Sequence, residues 1–246
     1  MDIVGWLTDP AHWTGAGSIP FQAGMHLLYS VIALVFAAVI AVPLGIFVGH
    51  TGKGDSVIMG SANAVRALPT LGLLILLVMV IAPAFSSNLA FVVPSLVVLV
   101  LLAIPPILSG VASGIRAIDR SVIDAARGMG YSTAQIIWRI EVPCALPLTL
   151  SGMRGATLQV VSTATVAAYV SLDGLGRFII DGRAANDYAE MAGGALVLAA
   201  LAILLELAFA AFGRIAVSPG LTRRVVSQAV PAVEDTATRA LSVAGA

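Results

Sequence analysis

A long polar stretch, DAARGMGYSTAQIIWRIEVPCALP at residues 124–147, interrupts the apolar part of this 246-residue chain. It holds two carboxylates (Asp124, Glu141), two guanidinium groups (Arg127, Arg139), a Gly-x-Gly at 128–130 and Pro143. Cap-forming residues punctuate it. SVID at 121–124 fits a capping box with Ser121 as cap and Asp124 at the third position, and STAQ at 132–135 repeats the pattern with Ser132 and Gln135. Gly130 stands between them, where a left-handed residue ends a helix. The spacing predicts two short helices meeting at a glycine turn. Ile123, Ala126 and Met129 would line one face of the first. Ile136, Ile137 and Ile140 would line the second, with Trp138 and Arg139 off that stripe. A compact amphipathic pair with charged edges is a surface for another protein to dock on.

Other chemistry is poorly supplied. GHTGKGD at 49–55 looks superficially like a phosphate-binding loop. Phe47, however, stands where the first Gly is needed, and Gly54 where a hydroxyl must reach magnesium. His12, His26 and His50 are scattered, and the single Cys144 excludes an intramolecular disulfide and argues against a metal site. No G-x-S-x-G elbow marks a hydrolase. Net charge is zero with no basic tract, which excludes a nucleic-acid footprint. No catalytic residue and no cofactor bound by this chain is expected. Gly110 and Gly114 form a G-x-x-x-G read as close helix packing.

The elements that must position the polar segment belong to a membrane protein. The chain is 59% hydrophobic and 11% charged, against about 25% charged in soluble domains. Twenty-four glycines suit helices packed closely in lipid. A bilayer core takes about 20 apolar residues per helix, and the pattern predicts five spans near 27–49, 58–82, 89–113, 145–172 and 188–213. With the N-terminus outside, Lys53, Arg116, Arg120, Arg127, Arg139, Arg214, Arg223, Arg224 and Arg239 lie inside, against Arg177 and Arg183 outside. That positive-inside bias puts residues 116–143 in the cytoplasm. Arg66 and Arg154 are expected near the cytoplasmic ends of their helices, snorkelling. Residues 1–26 hold no Lys or Arg, hence no basic n-region of a signal peptide. Trp6 and Trp13 predict an extracytoplasmic segment at the bilayer surface. Residues 214–246 read as a loosely ordered cytoplasmic tail.

Residues 116–143 resemble the signature loop of ABC importer permeases, in which Glu-Ala-Ala is followed after three residues by Gly, and later by Ile-x-Leu-Pro. Asp124, Ala125, Ala126 and Gly130 fill the first part, and Ile140, Val142 and Pro143 the second. Asp124 is one methylene shorter than Glu, and Val142 replaces Leu. The segments AVPLGIFVGH (41–50), RALPTLGLLILL (66–77), LPLTLSGMRGA (146–156) and DGLGRFIIDG (173–182) are similar to osmoprotectant permeases of the glycine betaine, choline, carnitine and proline betaine type. Methionine-importer permeases share much of this skeleton and are the alternative. The resemblance implies an all-α, type I ABC importer permease fold in a bacterial cytoplasmic membrane. It also implies that this loop is the ATPase-coupling site. Implied partners are a second permease subunit, two ATP-binding subunits that hold ATP and Mg, and an extracytoplasmic substrate-binding protein.

The fourth span is the most polar. Gln159, Ser162 or Thr163, Val166 and Tyr169 share a helical face, read as a pathway lining. Pro69-Thr70 and Pro105-Pro106 are expected to break their own helices, as hinge or gate candidates. The spans offer too few aromatic rings for a cation–π cage, so high-affinity capture belongs on the separate binding protein. An ion-coupled carrier is the rival class, but Glu206 is the only acid well inside a span, and five spans do not halve into repeats. A membrane-embedded enzyme would have no use for a capped cytoplasmic helix pair.

Overall fold

The computed structural model describes residues 2–217 apart from 55, 57, 61–63, 65, 66 and 171. Arg66 and the expected tail beyond residue 217 lie outside the described residues. A short α1 (Ile3–Thr8) and a 3-10 turn (Pro10–Trp13) precede the first long helix, α2 (Ile19–Thr51). Then come α3 (Thr70–Ile81), α4 (Leu89–Arg116) and α5 (Arg120–Gly128). A second short helix, α6 (Thr133–Ile136), passes through a π turn (Ile137–Glu141) into α7 (Val142–Ala164) without a break. A 3-10 segment (Thr165–Val170), α8 (Gly176–Ala185) and α9 (Tyr188–Ala216) complete it. No strand occurs among the described residues.

Helix α4 is the axis of the bundle, and small residues set its distance to both neighbours. On α2, Ala33, Ala37 and Ala41 repeat every fourth residue, all fully buried, and Gly45 and Gly49 continue the row. A Cβ placed on Gly45 would lie 2.7 Å from the Val111 side chain. On the other side, Gly110 faces Gly152 of α7. A Cβ on Gly152 would come within 2.5 Å of the Pro106 carbonyl, and one on Gly114 would strike Ala145. The G-x-x-x-G on α4 is therefore the α7 contact, where backbones approach too closely for any side chain. Leu99, Ala103, Ile107, Leu108, Ala156 and Val160 fill the core between the three helices.

Among the described residues three helices (α2, α4, α9) are long and apolar enough to cross a bilayer. Helix α7 has 23 residues, and its 3-10 continuation supplies the remaining length. Within the expected second span the regular apolar helix, α3, is only 12 residues. Its start explains the difference. Helical residues precede Pro69 at 58–60 and 64, the chain is non-helical at 67–69, and Pro69 in extended conformation (φ −61°, ψ 117°) caps α3 with Thr70 first, so a break falls where it is expected. The reverse holds at Pro105-Pro106, which lie inside an unbroken α4. Tight packing on both sides keeps that helix continuous past its missing N–H groups, so the expected break is absent there.

Helix α2 begins eight residues before the expected span, because Ser18 caps it and Pro20 occupies its first turn. Its early polar residues are buried and satisfied. His26 Nε2 donates to Val161 O (3.0 Å), Ser30 Oγ to His26 O, and Gln22 clamps Asp173 and Gly174 in the turn before α8. Trp6 faces the protein interior. It is buried against Ile19, Leu175 and Phe178 and sits on Gly193 of α9, while its ring stacks on His12 and meets Phe178 edge-on. Within this N-terminal segment the exposed indole is that of Trp13.

Candidate functional site: the loop between the fourth and seventh helices

The loop folds as its caps dictate, with one shift. Asp119, not Ser121, caps α5: its carboxylate accepts from Ser121 N at 2.9 Å, and the helix starts at Arg120. Asp124 is thereby moved out of the cap and lies on the exposed face, 3.5 Å from Arg127. At the other end Gly130 takes φ +84°. Tyr131 N donates to Ala126 O and Gly130 N to Arg127 O, which together make a Schellman cap. The Ser132 box forms in full: Gln135 N donates to Ser132 Oγ, and Ser132 N to Gln135 Oε1 at 2.8 Å.

Ala126 and Ile136 are the buried anchors of the pair, with Ile123, Ile137 and Ile140 half-buried beside them. Met129, expected on the apolar stripe, is 70% exposed, because it is the cap residue where the chain leaves the helix. Trp138 is 66% exposed and Arg139 is exposed, both off the stripe. Ala125 is exposed, Val142 half-buried and Pro143 exposed. Pro143 sits just past the π turn. A regular α-helix would press its ring against the Arg139 carbonyl, and the wider i→i+5 turn relieves this. Instead of two separate helices, the second helix of the pair is thus the first turn of the membrane helix. A push on the loop is a push on α7.

One contact was invisible in the sequence. His50 Nδ1, at the end of α2, donates to the Glu141 carboxylate at 2.8 and 2.9 Å, with Glu141 buried. The two residues are 91 positions apart and follow no motif. The pair ties α2 to the loop side of α7, beside an open cavity of about 490 Å³ lined by the ends of α2 and α4 and by Ile123, Asp124 and Arg127 of α5.

The residues read as pathway lining divide between two faces. Ser162 and Tyr169 are exposed, Tyr169 Oη accepting weakly from Arg183 (3.4 Å). Gln159 is half-buried and donates to Thr163 Oγ1 (3.2 Å). Thr163 itself is buried in a narrow, mainly apolar crevice that it shares with Thr70, Leu74, Ser95 and Val166. The 3-10 winding from Thr165 onward rotates Tyr169 relative to an ideal helix. Among the described residues no group of three or more His, Cys, Asp or Glu side chains is placed to hold a metal.

The fold has close relatives among solved structures. A chain of the inward-facing MetNI methionine ABC transporter superposes with a TM-score of 0.70 at 20% identity, over 79% of this chain and 94% of that one. The all-α architecture is that of type I ABC importer permeases. In sequence, the chain is 30% identical to the glycine betaine/carnitine/choline transport system permease protein OpuCB of Bacillus subtilis, over 85% of this chain and 93% of that one. It is 31% identical to the carnitine transport permease protein OpuCD of Listeria monocytogenes, over 84% and 89%. The glycine betaine/proline betaine permease ProW of Escherichia coli matches at 28%, over 82% of this chain and 55% of ProW. Residues 41–219 match the model of the binding-protein-dependent transport system inner membrane component. Capped loop, bundle and sequence agree, and the chain belongs to that family of membrane permeases.

Proposed function

We propose that this chain is the translocation subunit of an ATP-driven importer for compatible solutes of the glycine betaine, choline and carnitine class. The relatives' substrates support the substrate class. The observation that carries the coupling role is the glycine-turned helix pair whose second helix is continuous with α7. Asp124, Ala125, Ala126, Gly130, Ile140, Val142 and Pro143 form the docking element for a separate ATPase subunit, which holds ATP and Mg. The chain works with a second permease subunit, two such ATPases and an extracytoplasmic binding protein. Nine basic residues against two support an N-terminus outside and the loop in the cytoplasm. Substrate crosses by alternating access along the face that bears Gln159, Ser162 and Tyr169, with Pro69-Thr70 and Thr163 at the neighbouring helix crossing.

The test is uptake of labelled glycine betaine by an osmolyte-transport-deficient host expressing the chain with its ATPase and binding protein. Choline is expected to compete and methionine to be inert. Uptake of methionine alone would reject the substrate class.

A further inference from the structure

Arg154 and Glu206 form an ion pair between α7 and α9. Arg154 does not sit at a helix end, as its sequence position had led us to expect. It lies twelve residues into α7, ~18 Å from the loop at 1.5 Å per residue. Glu206 lies ten residues, ~15 Å, from the end of α9. Both are therefore near the middle of a hydrocarbon core about 30 Å thick.

The pair is not sealed inside the bundle: its side chains are 48% and 30% exposed. The face it opens on is unlike the other free faces. Val31, Val35, Phe36 and Val39 of α2, and Ile203, Leu204 and Leu207 of α9, are apolar and suited to lipid. The free face of α7 instead carries Ser151, Arg154, Gly155 and Ser162, and leads on to Tyr169. An open charge pair at this depth needs water or protein, not lipid, against it. One Glu206 oxygen is occupied by Arg154, while Oε2 is buried and accepts no hydrogen bond among the described residues.

We propose that Arg154 and Glu206 are a substrate contact on the pathway, specific for a zwitterion that carries a carboxylate and a quaternary ammonium. The inference rests on the proposed transport function and adds the residues that discriminate substrates. With no substrate passing, each charge neutralises the other, so neither is left unpaired at this depth. A passing zwitterion exchanges partners with the pair: its carboxylate takes the planar guanidinium fork, and its ammonium lies against the Glu206 carboxylate. A plain cation such as choline satisfies Glu206 alone.

The test uses the whole transporter in liposomes, with glycine betaine and choline uptake measured in parallel. Arg154→Met is expected to lower glycine betaine uptake about tenfold or more, the cost of one charged hydrogen-bonding partner, with a much smaller loss for choline. Glu206→Gln is expected to slow both. Co-purification of the ATPase subunit with each variant controls for assembly, and Arg154→Met/Glu206→Met removes the pair without leaving an unpaired charge. If that double variant assembles and carries both substrates at wild-type rates and ratio, the pair is structural and the proposal falls. Loss of assembly in the double variant would make the pair a subunit contact and also overturn it. If the unaltered transporter carries no quaternary ammonium compound, the functional reading fails first and this inference with it.

Discussion

Gly130 has open space around its missing side chain, so what it contributes is its backbone angle. At φ +84° an ordinary L-residue is strained by about 1–2 kcal/mol, and a β-branched one by more. Gly130→Val is thus expected to distort the docking turn, and Gly130→Asn, which tolerates the left-handed region, to preserve it. The ratio of substrate uptake to ATP hydrolysis reports the difference: reduced for Val, near wild type for Asn. Glu141 is the second single-residue test. Glu141→Ala leaves His50 facing a hole in a buried pair and is expected to cost about 3 kcal/mol, seen as a lower Tm of the purified complex. Glu141→Gln keeps an acceptor for His50 Nδ1 and loses less. An unchanged Tm for the alanine variant would contradict the strut assigned to this pair. At this scale the sequence disclosed what is local. Gly130 and the Ser132/Gln135 box lie within a few positions of one another and were readable. His50–Glu141 and Arg154–Glu206 join distant segments, and no pattern of spacing points to them. Asp119 and Ser121 are both good caps two residues apart, and propensity alone does not choose between them.

Among the elements, the α4–α7 contact makes the sharpest prediction. Gly152 has no room for a Cβ against the Pro106 carbonyl, and backbone does not move aside as a side chain can. Gly152→Leu is expected to separate the helices at a cost of at least about 3 kcal/mol, and so to leave little folded protein in detergent. Gly213→Leu, at a position facing open space, is the matched control and is expected to be neutral. G-x-x-x-G predicted this contact because small residues in lipid have few other uses. The Pro105-Pro106 pair differs from expectation for an instructive reason. A proline inside a helix removes a hydrogen bond, but packing decides whether the helix breaks. Pro105-Pro106 are gripped on two sides and the helix continues; Pro69 stands at a start, where no bond is lost. In the N-terminal segment the packing of Trp6 was not legible, because tryptophan is favoured both at the bilayer surface and in apolar cores, and its seat on Gly193 of α9 joins distant positions.

For the whole molecule, the account makes one side of the membrane the ATPase side. Cys144 is the sole thiol, so single-cysteine variants on a Cys144→Ser background map orientation cleanly. Trp138→Cys, at an exposed loop position, is expected to react with an impermeant maleimide only in inside-out vesicles, and Trp13→Cys only in right-side-out ones. The class of the molecule was legible from composition and one loop, since a membrane imposes its pattern on every span while a docking turn concentrates its own. The charge pair at mid-depth was not, because which faces meet is settled by packing. The central claim is that ATP hydrolysis elsewhere drives this bundle through the loop at Gly130. The most direct test reconstitutes the full transporter in liposomes and measures glycine betaine uptake and ATP hydrolysis together, for the wild type and for Gly130→Asp. The account predicts ATP-dependent uptake by the wild type, and a variant that keeps the left-handed turn but sets a negative charge into the docked surface, so that it inserts into the membrane and no longer transports. A Gly130→Asp transporter that assembled and took up substrate like the wild type would contradict it.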